Sequence, residues 1–397
     1  MKKTSIFVLS IALELIAIVI LQVNVWPQQF EHYFLYLGTY PYSANTGYHE
    51  DVQGITHDKD CWYITQSDAD DSDPAERSLW KIPISHDLSS VSPNDSGIKR
   101  ISLDDITELA SKAYNHFGDL SYYKNEKYDG KGYLVIPVTG SSAGIIAVFR
   151  ASDLGYIGSA ALSGGINPGW CAIDPEGYAY ASGNNVNKCD IYKLRWNLIP
   201  TEVKIKKIGD FPFLDEYGNP LTFTSMQGGV ISESGNLLYV VSGYYADHEA
   251  HDGINVFDMQ TNRRVAHSTN GYGHFNYEFH AGVDAEEPEG ITIWDLDDGR
   301  APGITGQLHV LMLDNDASAD EVYLKHYTGT IHVDKTHTGS EEGTPSQPFN
   351  SITEAYNLAW NGAKIKIQEG SYPEILTINK QLLLFSSAGS VVIGSGR

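Results

Sequence analysis

The sequence predicts an all-β fold: a five-bladed β-propeller over residues 30–330, followed by a segment of different character over residues 331–397. Three observations predict it. A short phrase recurs five times at near-regular spacing, and such periodicity marks stacked or circular repeats. Each copy is followed by further runs of strand character separated by turn residues. The composition, with 38 Gly and 25 Tyr against 4 Met, fits many short strands joined by tight turns. The chain has 397 residues, well above the roughly 150 of a typical domain, but all-β folds often exceed that as one unit.

The phrases lie at residues 52–58, 117–123, 168–174, 226–232 and 288–294. Aligned on Gly54, Asp119, Trp170, Gly228 and Gly290, they are 65, 51, 58 and 62 residues apart. A second strand follows at 62–65, 133–136, 178–181, 237–240 and 308–312, and a third at 78–82, 145–149, 190–194, 254–257 and 321–324. Blades one to four find a fourth strand near 98–102, 155–162, 203–209 and 263–267. Blade five has no fourth strand of its own, and residues 33–38 are expected to supply it. That pairing of the two ends closes the ring and removes an open sheet edge.

Residues 1–26 carry Lys2 and Lys3 before an apolar run interrupted by Glu14, the pattern of a signal peptide or, uncleaved, an N-terminal anchor. A secreted or extracytoplasmic location follows, with membrane attachment only through that segment. Cys61, Cys171 and Cys189 are expected to be free, because Cys171 and Cys189 fall on the first and third strands of one blade. Two strand spacings, about 9.6 Å, are too far for a disulfide.

Residues 331–397 contain Gly343-Thr344, Pro348-Phe349, Ser351-Ile352-Thr353-Glu354-Ala355, Ile365-Lys366-Ile367 and Gly370-Ser371-Tyr372. This resembles the opening of the pectate lyase-like right-handed parallel β-helix family, in which a short capping helix, here 351–361, precedes the first coil. The resemblance implies a short, incomplete C-terminal β-helix-like segment without the family's catalytic coils. Glu287-Pro288-Glu289-Gly290-Ile291 is similar to a stretch of calcium-dependent phytase and esterase-like propellers, although the blade count differs from the phytases.

The net charge of −23, from 27 basic and 50 acidic residues, argues against nucleic acid as a partner. Much of it is expected on one face, where the starts of the inner strands meet the loops between second and third strands. Two of those loops supply Asp70, Asp73, Asp314 and Asp316, and the loop of blade four supplies Asp247 and Asp252. These are hard oxygen donors suited to calcium, though no loop has the glycine and distal glutamate of an EF-hand. His248 and His251 are one residue short of the spacing of a zinc helix motif. Gly140-Ser141-Ser142-Ala143-Gly144 matches a nucleophile motif in letters but continues into a strand, so it reads as a hairpin.

The channel mouth is the sharper candidate. Asp51 and Gln53, His116 and Asp119, Asn167 and Trp170, Ser225 and Gln227, and Glu287 and Glu289 fall at equivalent places in the five blades. His116, Asp119, Glu287 and Glu289 are candidates for acid/base chemistry, with His116 as a base titrating near neutral pH. Gln53, Asn167, Trp170 and Gln227 are candidates for ligand contact, Trp170 by stacking. The expected function is extracellular binding of a glycan or protein through an acidic, aromatic-containing face, with calcium as its cofactor. The alternative is a secreted phosphoesterase or polysaccharide-active hydrolase or lyase at the same mouth.

Overall fold

A computed structural model of the chain describes residues 34–44, 46–67, 77–140, 143–244, 251–268, 275–277, 279, 286–315, 320–360 and 363–394. Contacts divide the chain into one compact unit, His32–Gly329, and another containing Thr330–Arg397.

The first unit is a five-bladed propeller. Blade one is β2 (Val52–His57), β3 (Cys61–Gln66), β4 (Ser78–Pro83) and β5 (Lys99–Ser102), paired in that order. Blade two runs β6 (Tyr114–Phe117), β7 (Ser121–Lys124), β8 (Gly132–Gly140), β9 (Ile145–Arg150) and β10 (Tyr156–Ala161). Here β6 and β7 both pair with β8, so the inner strand expected as one run is broken in two. Blade three is β11 (Trp170–Ile173), β12 (Tyr178–Ser182), β13 (Lys188–Leu194) and β14 (Ile205–Pro212), and blade four is β15 (Met226–Ile231), β16 (Leu237–Ser242), β17 (Gly253–Asp258) and β18 (Arg264–His267). Blade five contains β19 (Glu286–Ile293), β20 (Leu308–Asp314) and β21 (Glu321–Thr328), and its outer strand is β1 (Leu35–Thr39), antiparallel to β21 with Leu35 opposite Thr328. The N-terminal end of the unit therefore closes the ring.

Side-chain alternation makes the ring pack. On β8, Leu134 and Ile136 join a cluster with Tyr63 and Leu79 of blade one, while Tyr133 and Val135 join one with Ala179 and Tyr192 of blade three. On β20, Val310 and Met312 face Tyr239 and Val241 of blade four, and Leu311 and Leu313 face Trp62 and Ile64 of blade one. Five clusters fill the five interfaces, so each sheet is covered on both faces. This is why β3, β16 and β20 are buried along their whole length and read as mostly apolar runs, with His309 inside β20 a polar exception. All three cysteines are free and buried; Cys171 lies on β11 and Cys189 on β13.

The second unit holds two small parallel sheets. In one, β22 (Thr330–Val333), β23 (Ala363–Ile367) and β25 (Leu382–Ser386) align Ile331, Ile365 and Leu384 in a row. In the other, β24 (Gly370–Tyr372) pairs with β26 (Val391–Ile393). The helix is Ile352–Leu358, shorter than the expected 351–361. Ser351 caps it by accepting from the Glu354 amide, and the Glu374 carboxylate accepts from the Ile352 and Thr353 amides at 2.8 and 2.7 Å. These ladders are all that is seen of the β-helical form expected for this segment. Among the described residues no helix is long and apolar enough to cross a membrane. Residues 1–26, expected to be the signal or anchor, lie outside the described residues.

Candidate functional site

The inner strands share a local irregularity. Between Val52 and Gly54 of β2, Met226 and Gly228 of β15, and Pro288 and Gly290 of β19, the register with the next strand slips by one residue. The extra residues are Gln53, Gln227 and Glu289. A β-bulge re-aims a side chain that regular alternation would bury or turn away. All three line one cavity at the channel mouth, of about 450 Å³, with Asp51, His116, Asn167 and Glu287 from the entries of the inner strands. Thr139 near the end of β8, and Asn184, Asn185 and Asn315, which follow the second strands of blades three and five, complete much of the wall. The expected convergence of strand starts and these loops on one face is what builds it.

The deepest polar feature is a pair of carboxyls. The Gln227 side-chain amide donates to Glu287 Oε2 at 3.0 Å and to Glu289 Oε1 at 3.2 Å. The two glutamates also hydrogen-bond each other, and Asn315 bonds Glu287. Burial raises both carboxyls above the ordinary glutamate range, Glu289 well above it, with the negative charges of Glu287 and Asp51 adding to its rise. Of the two, Glu289 is the more readily protonated, and a proton on it would be shared with Glu287. The Asp51 amide donates to Asp320 Oδ2 at 2.7 Å, which places a further carboxylate beside the pair. No lysine or arginine lines the cavity among the described residues.

Three expectations change. His116 lines the cavity, but burial pushes it down to about 4, so near neutral pH it is an uncharged imidazole and not a base about to titrate. Trp170 is fully buried; its ring occupies the space a Cβ on Gly229 would fill, and its Nε1 donates to Ser182 Oγ at 2.8 Å. It packs between blades and offers no face to a ligand, so the mouth has no aromatic platform beyond His116 among its described lining residues.

Asp119 is the third. It is fully buried and bonds to all five blades. Its carboxylate accepts from the amides of Ile55 (3.1 Å), Leu120 (3.0 Å), Gly229 (3.0 Å) and Ile291, in blades one, two, four and five. Its own amide donates to Gly169 O, and its carbonyl accepts from Cys171 N, both in blade three. These bonds break the inner strand of blade two into β6 and β7. Burial pushes the carboxyl well up while the amides pull it down. With no lone pair left toward solvent, Asp119 is the structural plug of the ring and not a catalytic acid. Room for it comes from glycine: a Cβ on Gly54 would lie 2.7 Å from Asp119 Oδ1, and one on Gly290 3.0 Å.

Of the residues expected to bind metal, Asp70, Asp73, Asp247 and Asp316 lie outside the described residues. Asp252 precedes β17 in blade four and Asp314 ends β20 in blade five, and among the described residues no group of three or more His, Cys, Asp or Glu is placed to hold a metal ion. Asn184, Asn185 and Asn315 also line the mouth and are not among the expected site residues, because a loop amide carries no spacing signal that marks it as part of a site. Strands β8 and β9, on either side of residues 141–144, pair antiparallel; Ser141 and Ser142 lie outside the described residues.

No protein-family model matches the chain, and no curated protein matches it. Among solved structures, it is similar to glutaminyl cyclase of Myxococcus xanthus (10% identity, 74% of this chain and 96% of that one, TM-score 0.41). It is similar also to the Dos1 propeller (12%, 69% and 67%, TM-score 0.34) and to the calcium-binding protein regucalcin of Agrobacterium tumefaciens (11%, 69% and 74%, TM-score 0.32). At such TM-scores these likenesses carry no argument, and the five blades rest on the chain's own strand pairing.

Proposed function

We propose that this chain is a binding propeller whose channel mouth takes up part of a neutral, polyhydroxylated ligand, a glycan being the class that fits best. The observation that carries the reading is the cavity lining: amides of Gln53, Asn167, Asn184, Gln227 and Asn315 share the wall with the carboxyls of Asp51, Glu287 and Glu289. Amides both donate and accept, carboxylates accept, and together they match the paired donor and acceptor character of sugar hydroxyls. The acidic lining disfavours an anion, which sets the phosphoester alternative below the glycan one. The Lys2-Lys3 start before an apolar run supports export, and so an extracellular ligand. The parallel ladders of the second unit support reading it as the start of a β-helical stack. The test is equilibrium binding to a panel of neutral glycans by wild type and Gln227→Ala; an affinity unchanged by the substitution counts against the site.

A second reading is favoured by the carboxyl pair. Glu289 and Glu287 share a hydrogen bond and are both raised, Glu289 more. Glu289 can therefore give a proton to a bound hydroxyl or leaving oxygen and Glu287 can take one up, as a general acid and base would. Turnover in a glycan substrate screen that survives both Glu289→Gln and Glu287→Gln rejects it.

A further inference from the structure

A second polar cluster lies away from the mouth, at the seam where the ring closes. His309 of β20 and His326 of β21 stand directly opposite each other in register. Their Nδ1 atoms are 2.8 Å apart. His309 Nε2 lies 2.9 Å from the carbonyl oxygen of Trp294, and His326 Nε2 lies 2.6 Å from that of Tyr40, the residue after β1. Both rings are buried.

Proton counting decides what this arrangement holds. A carbonyl oxygen only accepts, so each Nε2 must carry a hydrogen, and the Nδ1 contact needs a third. Two neutral imidazoles bring only two. Any neutral arrangement therefore sets lone pair against lone pair in one of the three contacts. We propose that the His309–His326 pair is a proton-binding site, its ligand a single proton held between the two Nδ1 atoms, and that it couples closure of the ring to pH.

The surroundings weigh on both sides. Burial opposes the charge, pushing His309 well below the ordinary histidine range and His326 to about 4. The two carbonyls favour it, and Trp62 of β3 packs against the His309 ring edge to face, at 5.7 Å and 82°. From β2, His57 faces two carbonyls of its own, Asp58 O at 2.9 Å and Ile293 O at 2.7 Å, and its charge repels that of the pair, so the cluster takes up protons one at a time. Burial lowers His57 below the ordinary histidine range; its two carbonyl partners and the Asp58 charge oppose that, and Arg300, over the Trp294 ring, adds to it. On β21, Lys325 is directed at the rings of Tyr36 and Tyr277. The Tyr40 hydroxyl, on the residue whose carbonyl closes the chain of bonds, donates to Asp87. Among the described residues no carboxylate bonds either imidazole.

The sign follows. Burial alone would hold both histidines below their ordinary value and make their contribution fall as pH drops. The contact between lone pairs that every neutral arrangement leaves opposes it. In the proposed site this contact outweighs burial, so the pair holds its extra proton above the unfolded histidine value and contributes stability that is complete below that value and fades as pH rises through the folded one. The test uses the full chain labelled with ¹⁵N at histidine. At pH 6.5 both Nε2 atoms should be protonated, and the two Nδ1 shifts should lie between those of bare and protonated imidazole nitrogen. The Tm advantage of wild type over His309→Asn/His326→Gln should shrink by about 2–4 °C between pH 5.5 and 8.5. Two bare Nδ1 atoms at pH 6.5, or an advantage that is flat or grows with pH, overturns the proposal. The wild-type spectrum decides the matter even if the double variant does not fold.

Discussion

Gln227 and Glu289 occupy the same station in neighbouring blades, each the extra residue of a β-bulge, and the amide of one donates to the carboxyl of the other at 3.2 Å. The bulges, repeated in blades one, four and five, turn what would be ordinary strand residues into the floor of a polar cavity.

The protonated state of Glu289 has a pH signature. Its ordinary value is 4.5, and burial raises it well above that in the fold. Stability contributed by the protonated form is present in full below 4.5 and is lost as pH rises through the folded value. Glu289→Gln substitutes an uncharged amide and escapes that loss. Its Tm should exceed that of wild type by about 3 °C at pH 8, with the gap closing at pH 4. A gap of equal size at both pH values would show that Glu289 is ionised in the fold.

Asp119 should be the most costly polar residue of the ring to remove. Asp119→Ala leaves buried amides in blades one, two, four and five without an acceptor. The expected loss is about 3–5 kcal/mol in urea unfolding, with Asp119→Asn milder because it keeps one oxygen. A loss under about 1 kcal/mol would mean that water takes over the plug.

Glycine at the axis is needed for space. A Cβ at Gly290 would come within 2.8 Å of Ile55 N and 2.9 Å of Gly54 Cα, both backbone atoms that cannot swing away. Gly290→Ala should cost about 2 kcal/mol or more. Gly209→Ala, whose Cβ would meet only Ile191 Cδ1 at 3.8 Å, should stay within about 0.5 kcal/mol of wild type. Equal effects at the two sites, read by thermal unfolding, would contradict the axial packing.

Trp170→Ala should lower stability by about 3–5 kcal/mol, as expected for a buried aromatic, while leaving ligand affinity of the folded protein unchanged. A selective loss of binding at full stability would return Trp170 to the site.

The blades were legible because the second strand of each buries most or all of its residues on both faces, which writes a strong apolar signal at each repeat. The closing strand was legible because a ring with one strand missing has only the other chain end to use. Depth along the channel was not legible. Asp119, Trp170, Gly54, Gly228 and Gly290 align as one station in the repeat, yet glycine in three blades is what lets Asp119 reach the axis, and Gly229 is what lets Trp170 sink between blades. His116 shows the same limit: its place at the mouth follows from the repeat, but its depressed titration follows from burial that no spacing reveals. Gln53, Gln227 and Glu289 were identified by position, while the bulges that aim them depend on pairing with β3, β16 and β20.

The most direct test of the binding site is isothermal titration of wild type, Gln227→Ala and Glu287→Gln with neutral oligosaccharides, alongside a cavity-remote control, Gly209→Ala. The cavity reading predicts saturable binding by wild type and the control, weakened at least about tenfold in both site variants, which is about 1.4 kcal/mol. Binding of equal strength in all four proteins would contradict it.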